Sequence, residues 1–244
     1  MSVAVVTGGA GEGSGRAIAR RLAHEGLRVV VCDIDPAAGS ETVDLIRRTG
    51  AHADYLNVDV RSDSQLADAF TFARSLGPVT TVVNNASDIG SIHPESPLDY
   101  WDEIIATDLI GSMHATRLGI DALRESGGGA IVNVSSTSAL LDRRDGGSPI
   151  YDVAKLAILR LSRRLAFLKS ENVRVNCIVP HWIAVPHIVE YVSALSPEER
   201  SERGVPNRLI PVEEIAEQVL RLATDTSLAG EAIIWPDGNK PRLL

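Results

Sequence analysis

"VAVVTGGAGEGSGRAIARRLAHEG", residues 3 to 26, decides the fold of this chain. Val3 to Thr7 is apolar and largely β-branched, the composition of a buried strand. "TGGAGEGSG", Thr7 to Gly15, follows as a glycine-rich turn. "GRAIARRLAHEG" then sets Ala17, Ile18, Leu22 and Ala23 on one helical face. Strand, glycine turn and helix N-terminus in that order aim backbone N–H groups and a positive dipole end at a diphosphate. The glycines miss the spacings of the familiar dinucleotide fingerprints, and an ordinary tight turn is the plainer reading of this stretch alone.

The same alternation runs through the rest of the chain. Strands are predicted at 3 to 7, 28 to 33, 53 to 59, 79 to 85, 129 to 136, 173 to 179 and 231 to 235. Helices are predicted near 14 to 25, 36 to 49, 62 to 76, 98 to 125, 150 to 170 and 211 to 224, with starts at Asp35-Pro36, Ser62, Ser96-Pro97 and Pro211. Right-handed βαβ units of this kind build an α/β fold, a Rossmann-type, doubly wound, mostly parallel seven-stranded sheet with helices on both faces. No repeat, linker or low-complexity tract divides it, so residues 1 to 244 read as a single dinucleotide-binding domain. The segments 137 to 149 and 180 to 208 read as loops beyond the carboxyl ends of strands, the expected substrate walls.

Composition narrows the function classes. The chain is 44% hydrophobic, enough for one large core, and carries a formal charge of −8 without a basic cluster, which speaks against a nucleic-acid partner. No apolar run approaches the ~20 residues of a membrane span, and "MSVAVVTGG" has no basic start, so a cytoplasmic protein with no membrane partner is expected. Cys32 and Cys177 lie within apolar runs, as buried strand thiols do, and the six histidines form no metal-binding pattern.

Asp33 ends the second strand 18 residues beyond Gly15, where a carboxylate bonds both hydroxyls of an adenosine ribose. With Glu12 as a second negative charge, it favours NAD over NADP. A plain helix-initiating role beside Asp35 is the alternative. Further on, "YDVAK" sets Tyr151 and Lys155 at i and i+4 on one helical face. A phenol is a poor proton acceptor at neutral pH, and a neighbouring ammonium stabilises its phenolate. Lys155, Lys169 and Lys240 are the only lysines in an arginine-rich chain, which singles out Lys155 as a compact ammonium.

With "TGGAGEGSG", "NVDV" (57 to 60), "NNAS" (84 to 87), "IVNVSS" (131 to 136), "YDVAK" (151 to 155) and "VRVNCIVPHWI" (173 to 183) in this order, the chain resembles the short-chain dehydrogenase/reductase family over essentially its whole length. The resemblance implies a cofactor site of Gly8, Gly13, Ser14, Gly15, Asp33, Asp59, Val60, Asn85, Ala86, Tyr151, Lys155, Pro180, Ile183 and Val185. It also implies Tyr151 as general acid/base, Lys155 as its electrostatic partner and Ser136 as the hydroxyl that holds the substrate oxygen. Ser135 would point to the opposite face of the strand as a buried, satisfied hydroxyl. The implied activity is hydride transfer between a nicotinamide and a secondary alcohol or ketone, a small-molecule substrate. The alternatives are a non-redox lyase, epimerase or dehalogenase on the same fold, and a protein that senses NAD(H) without turnover. Family members pair helices corresponding to 98 to 125 and 150 to 170, which implies a homodimer or homotetramer; Leu156, Leu159 and Leu161 suit that role or the sheet face.

Four departures from the family pattern lie at the expected cleft. The glycine loop is one residue longer, with Ser14 replacing an aliphatic residue. Asp108, grouped with the catalytic residues, stands where an asparagine commonly supports a proton relay. Either the relay runs through a carboxylate or Asp108 alters the ionisation of Lys155 and Tyr151. His181 replaces a glycine, and Val185 a threonine. The stretch from Ser136 to Tyr151 is longer by about two residues and holds Arg143, Arg144 and Asp145. Arg143, His181 and Trp182, with Arg144, His93 and His187 nearby, are candidates for contact with an anionic or aromatic substrate.

Overall fold

The computed structural model describes residues 1–88, 98–140, 148–235 and 239–244. The continuous apolar run of the first strand, β1 (Val3–Thr7), has a simple cause: both of its faces are covered. Ala4 and Val6 join one core layer with Ile18, Leu22, Val43, Ile46, Ile215 and Val219, while Val3 and Val5 join the other with Leu66, Phe70, Ala115 and Leu123. The first layer lies under α1 (Ser14–His24), α2 (Pro36–Arg47) and α9 (Val212–Thr224). The second lies under α3 (Asp63–Leu76) and α5 (Ser112–Glu125).

The remaining strands are β2 (Arg28–Asp33), β3 (Ala53–Asn57), β4 (Val79–Asn84), β5 (Gly129–Val134), β6 (Val173–Val179), β7 (Ala232–Ile234) and β8 (Arg242–Leu243). Among the described residues the sheet has eight strands in the order β3–β2–β1–β4–β5–β6–β7–β8. All pairings are parallel except that of β7 with β8. The chain reverses its winding between β1 and β4, and the carboxyl ends of those strands open the crevice in which this architecture binds ligands. Seven strands fall where the sequence predicts them. The eighth is a two-residue antiparallel edge, too short to carry an alternation.

Helix starts follow local chemistry. Asp35 accepts from the N–H groups of Ala37 and Ala38, Ser62 from Gln65, and Ser148 from Tyr151 at the head of α6 (Pro149–Arg164). Pro211 precedes α9 as expected, whereas Ser96-Pro97 lies outside the described residues. Two predictions need correction. The helix over 98 to 125 is interrupted: α4 (Leu98–Ile104) leads into a π-helical stretch, Ile105–Gly111, before α5 begins. Helix α6 passes into a 3-10 turn, Leu165–Glu171.

The segment 180 to 208 is not all loop. It contains α7 (Pro186–Ala194) and α8 (Pro197–Glu202), the second opened by a capping box of Ser196 and Glu199 with Pro197 at its first position. Those signals stand in the sequence as "SPEE" but are masked by weak apolar periodicity: α8 buries nothing and α7 buries Val192.

Cys32 and Cys177 are free and buried, and desolvation pushes both thiols up to about 12. Leu159 packs on Cys177 and Val179, whereas Leu156 is 47% exposed, so the two leucines separate between core and surface. Among the described residues no helix is long and apolar enough to cross a membrane.

Candidate active site

Residues that end parallel strands converge at one edge of the sheet. After β1 the chain turns at Gly8, whose φ of +62° excludes most side chains and whose Cβ would lie 2.6 Å from Ala86 Cα. Gly15 is the tighter position, since a Cβ there would lie 1.9 Å from the Gly8 carbonyl oxygen. The first turn of α1 therefore rests directly on the turn after β1. Asn85 locks the two together: its Nδ2 donates to Gly8 O at 2.8 Å, and its Oδ1 accepts from Ser14 Oγ at 2.7 Å. Ser14, unusual for the family, has a use here that an aliphatic side chain cannot fill.

Gly13 caps α1 with no side-chain hydrogen bond, and no acidic residue occupies the first turn. A Cβ at Gly13 would meet nothing within 4 Å. The protein's own packing does not demand glycine there, and the uncapped N–H groups leave open space in which an anion could lie. The residues present thus fit a dinucleotide diphosphate.

Asp33 holds the longer loop. Its Oδ2 accepts from Ala10 N at 2.9 Å and its Oδ1 from Asp35 N at 3.1 Å, leaving a second acceptor direction on each oxygen. Asp35, not Asp33, caps α2. Gly8, Asp33, Asp59, Val60 and Ala86 line a cavity of about 370 Å³, together with Ser87, Asp88, Glu103 and Arg61. Among the described residues, four carboxylates and one guanidinium therefore line it. That guanidinium is engaged: Arg61 reaches Asp59 at 2.7 Å and Glu103 at 2.8 Å. The Arg61 side-chain hydrogen bond holds the Asp59 carboxyl below its usual range.

At the end of β5 the two serines part as expected. Ser135 Oγ donates to Lys155 O at 2.7 Å in the core. Ser136 stays half-buried, and its Oγ accepts from both Ser138 N at 3.2 Å and Ser138 Oγ at 3.0 Å. With its oxygen accepting from Ser138, Ser136 keeps its O–H proton available to donate.

Tyr151 and Lys155 share a face of α6, with Lys155 Nζ 5.3 Å from the centre of the Tyr151 ring. Lys155 is 2% exposed and Asp108 is fully buried; they meet at 2.8 Å. A second ammonium proton reaches Val134 O at 3.3 Å. Desolvation works against the Lys155 charge, yet Tyr151 and Asp108 outweigh it and hold the ammonium above its ordinary range.

Asp108 sits in the π-helical stretch, an irregularity frequent at functional sites. It also accepts from Ser87 Oγ at 2.5 Å and from Asp88 N at 2.8 Å. Neither Asp108 nor Lys155 nor Tyr151 is among the residues lining that cavity.

Beneath this group runs a buried polar chain. Asn84 Nδ2 donates to Asn133 Oδ1 at 2.8 Å and to Thr116 Oγ1 at 3.0 Å, and Asn133 Nδ2 donates to Ser162 Oγ at 2.9 Å. It ties β4, β5, α5 and α6 together where the reactive side chains are mounted. Neither this chain nor the roles of Ser87 and Ser138 were read from the sequence. The asparagines stand in quoted motifs, but a polar residue in a strand that runs between two layers gives no sign of its partner.

After β6, Pro180 is buried and accepts from Thr137 N at 2.9 Å. Ile183 bridges to Ile210, and Val185 caps α7. His181 Nδ1 accepts from Trp182 N at 2.9 Å, and Trp182 stacks on Tyr191 with ring centres 6.1 Å apart. Arg203 covers Tyr191, donating to its hydroxyl at 2.6 Å. His187 is exposed. Arg143, Arg144, Asp145 and His93 lie outside the described residues.

A family profile described as short chain dehydrogenase matches residues 2–194. The chain is similar to an uncharacterized oxidoreductase, YxbG, of Bacillus subtilis, at 35% identity over 96% of this chain and 89% of that protein. It is 30% identical to 2,5-dichloro-2,5-cyclohexadiene-1,4-diol dehydrogenase LinX of Sphingobium indicum, over 91% of this chain and 89% of that one. Among solved structures, a variant of actinorhodin polyketide ketoreductase with NADPH superposes with a TM-score of 0.86 at 29% identity, covering 97% of this chain and 96% of that one.

Proposed function

Because the chain belongs to the short-chain dehydrogenase/reductase family, we propose that it is an NAD-dependent oxidoreductase acting on a secondary alcohol or ketone. The observation that carries this reading is the pairing of Tyr151 with a buried Lys155 ammonium 5.3 Å from its ring. A nicotinamide cofactor supplies the hydride acceptor or donor. The protein's own part is to hold the substrate oxygen and move its proton. Ser136 donates a hydrogen bond to that oxygen, and Tyr151 gives or takes its proton.

Gly8, Gly13, Ser14 and Gly15 would cradle the diphosphate, and Asp33 the adenosine ribose. Asp59 and Val60 would border the adenine, Asn85 and Ala86 the adjoining ribose. Lys155 would hold the second ribose, with Pro180, Ile183 and Val185 along the nicotinamide. Asp108 works through Lys155.

NAD is preferred over NADP on charge. Among the described residues the cavity faces a ligand with Asp33, Asp59, Asp88 and Glu103, and the one guanidinium among them, Arg61, is committed to two of these. A 2′-phosphate would bring about two more negative charges into this field. The NADPH seen with the related ketoreductase therefore does not transfer to this chain. The substrate is a small molecule, and exposed apolar side chains along the helical layer, among them Met113, Val153 and Leu156, suit pairing with a second copy.

The test is a panel of alcohols and ketones followed by nicotinamide absorbance with NAD(H) and NADP(H) in parallel. NAD(H) is expected to give the higher kcat/KM by at least about tenfold, the worth of ~1.4 kcal/mol. An NADP(H) preference would overturn the cofactor choice, and no turnover across the panel would overturn the redox reading.

Ser138→Ala supplies a finer check. It removes one of the two hydrogen bonds that orient Ser136, so kcat should fall about three- to tenfold, the value of one neutral hydrogen bond. Unchanged steady-state kinetics would show that Ser136 needs no such orientation.

A further inference from the structure

Three hydrogen-bond donors converge on the buried Asp108 side chain: Lys155 Nζ at 2.8 Å, Ser87 Oγ at 2.5 Å and Asp88 N at 2.8 Å. A carboxylate satisfies all three. An asparagine keeping its oxygen toward Lys155 and Ser87 would turn its own N–H₂ against the Asp88 N–H. The site is thus built for a charge at this position, and that charge touches the ammonium facing Tyr151.

A lone buried ammonium would pull electron density toward the Tyr151 oxygen and favour its phenolate. With Asp108 beside it, the pair is close to neutral and the pull is largely spent. Among the described residues, the neighbouring groups do not restore it. Cys177 on β6 carries a thiol pushed up to about 12 by burial and is uncharged at neutral pH. Strand β5 and the 3-10 turn Thr137–Leu140 contribute no ionisable side chain. Among the described side chains of α4 are Tyr100, Asp102 and Glu103, of which Tyr100 bonds Asp88 and Glu103 bonds Arg61. Asp152 follows Tyr151 on α6 and adds negative charge to the same turn.

We propose that Asp108 is the counterion of Lys155, cancelling the ammonium's pull on the Tyr151 oxygen so that the phenol is harder to ionise than it would be beside a lone ammonium. Its catalytic consequence rests on the oxidoreductase reading, but the charge balance itself does not. Asp108 is a positioning residue: it sets the state of Tyr151 through Lys155.

The experiment compares the native protein with Asp108→Asn and Asp108→Ala, each also in a Tyr151→Phe background. The alkaline tyrosinate absorbance lost with Tyr151→Phe isolates the ionisation of Tyr151 among the four tyrosines. Removing the carboxylate is expected to move that ionisation to lower pH by about one to two units, as loss of one nearby charge does at a protein's effective permittivity. In the active enzyme the acid limb of the alcohol-oxidation rate profile should move the same way. Ala carries the test if the Asn amide prevents folding, and a melting curve establishes which variants are folded.

A midpoint that stays in place in a folded variant would overturn the proposal. A midpoint that moves alike in both variants supports it, since they differ in hydrogen bonding and share only the lost charge. The titration needs no substrate, so a chain that turns over nothing in the panel fails the redox reading while the absorbance still judges the ion pair.

Discussion

Tyr151→Phe should reduce kcat by about a thousandfold while leaving NADH affinity and melting temperature close to native, given that a placed acid/base contributes roughly 10²- to 10⁴-fold. The variant deletes one oxygen and little else. The aromatic ring remains against Lys155, whose other partners, Asp108 and Val134, are untouched. The backbone N–H of residue 151 still closes the cap on Ser148. Lys155 itself is a poorer target. Truncating it would strand the Asp108 charge in the core, and breaking a buried pair in this way costs about 3 to 5 kcal/mol. Lost activity in Lys155→Ala would then not separate chemistry from folding. Equilibrium NADH fluorescence beside steady-state rates makes the distinction for Tyr151→Phe. Turnover within tenfold of native would remove Tyr151 from the chemistry, and loss of NADH binding would recast it as a cofactor residue.

How much of this could be read from the chain depends on the range of the interaction that fixes each residue. The strands were legible because β1, β2 and β6 are covered on both faces and so read as unbroken apolar runs. Asp35 and Ser62 cap helices through bonds two or three residues away, well within a sequence motif. Tyr151 and Lys155 were legible for the same reason, being one helical turn apart.

What escaped depends on pairings across the fold. Asp108, 47 residues before Lys155, was reached only through the family resemblance, and Ser87, another 21 before it, was not reached at all, because their convergence is a product of topology. The π-helical turn that carries Asp108 has no composition of its own. Helices α7 and α8 were missed because they bury almost nothing, and amphipathic periodicity reports burial.

The glycine loop brings both scales together and gives the sharpest contrast between two neighbouring substitutions. Gly15→Ala places a methyl group 1.9 Å from a backbone oxygen that cannot rotate away, so α1 or the β1 turn must shift. That should destabilise the fold by about 3 kcal/mol, the upper range for overpacking, and lower Tm by roughly 6 to 12 °C. Gly13 has φ of −120°, open to any residue, and its added methyl would meet no protein atom. Gly13→Ala should therefore melt with the native protein. If a diphosphate lies across the uncapped start of α1, however, the methyl occupies its space, and NADH affinity should fall at least about tenfold, or ~1.4 kcal/mol. Calorimetric melting and NADH titration of the two variants separate a glycine required by the fold from one required by the ligand. Native NADH affinity in Gly13→Ala would mean that no dinucleotide crosses this helix start, and the longer loop, for all that Asp33 holds Ala10 in place, would not be a cofactor cradle.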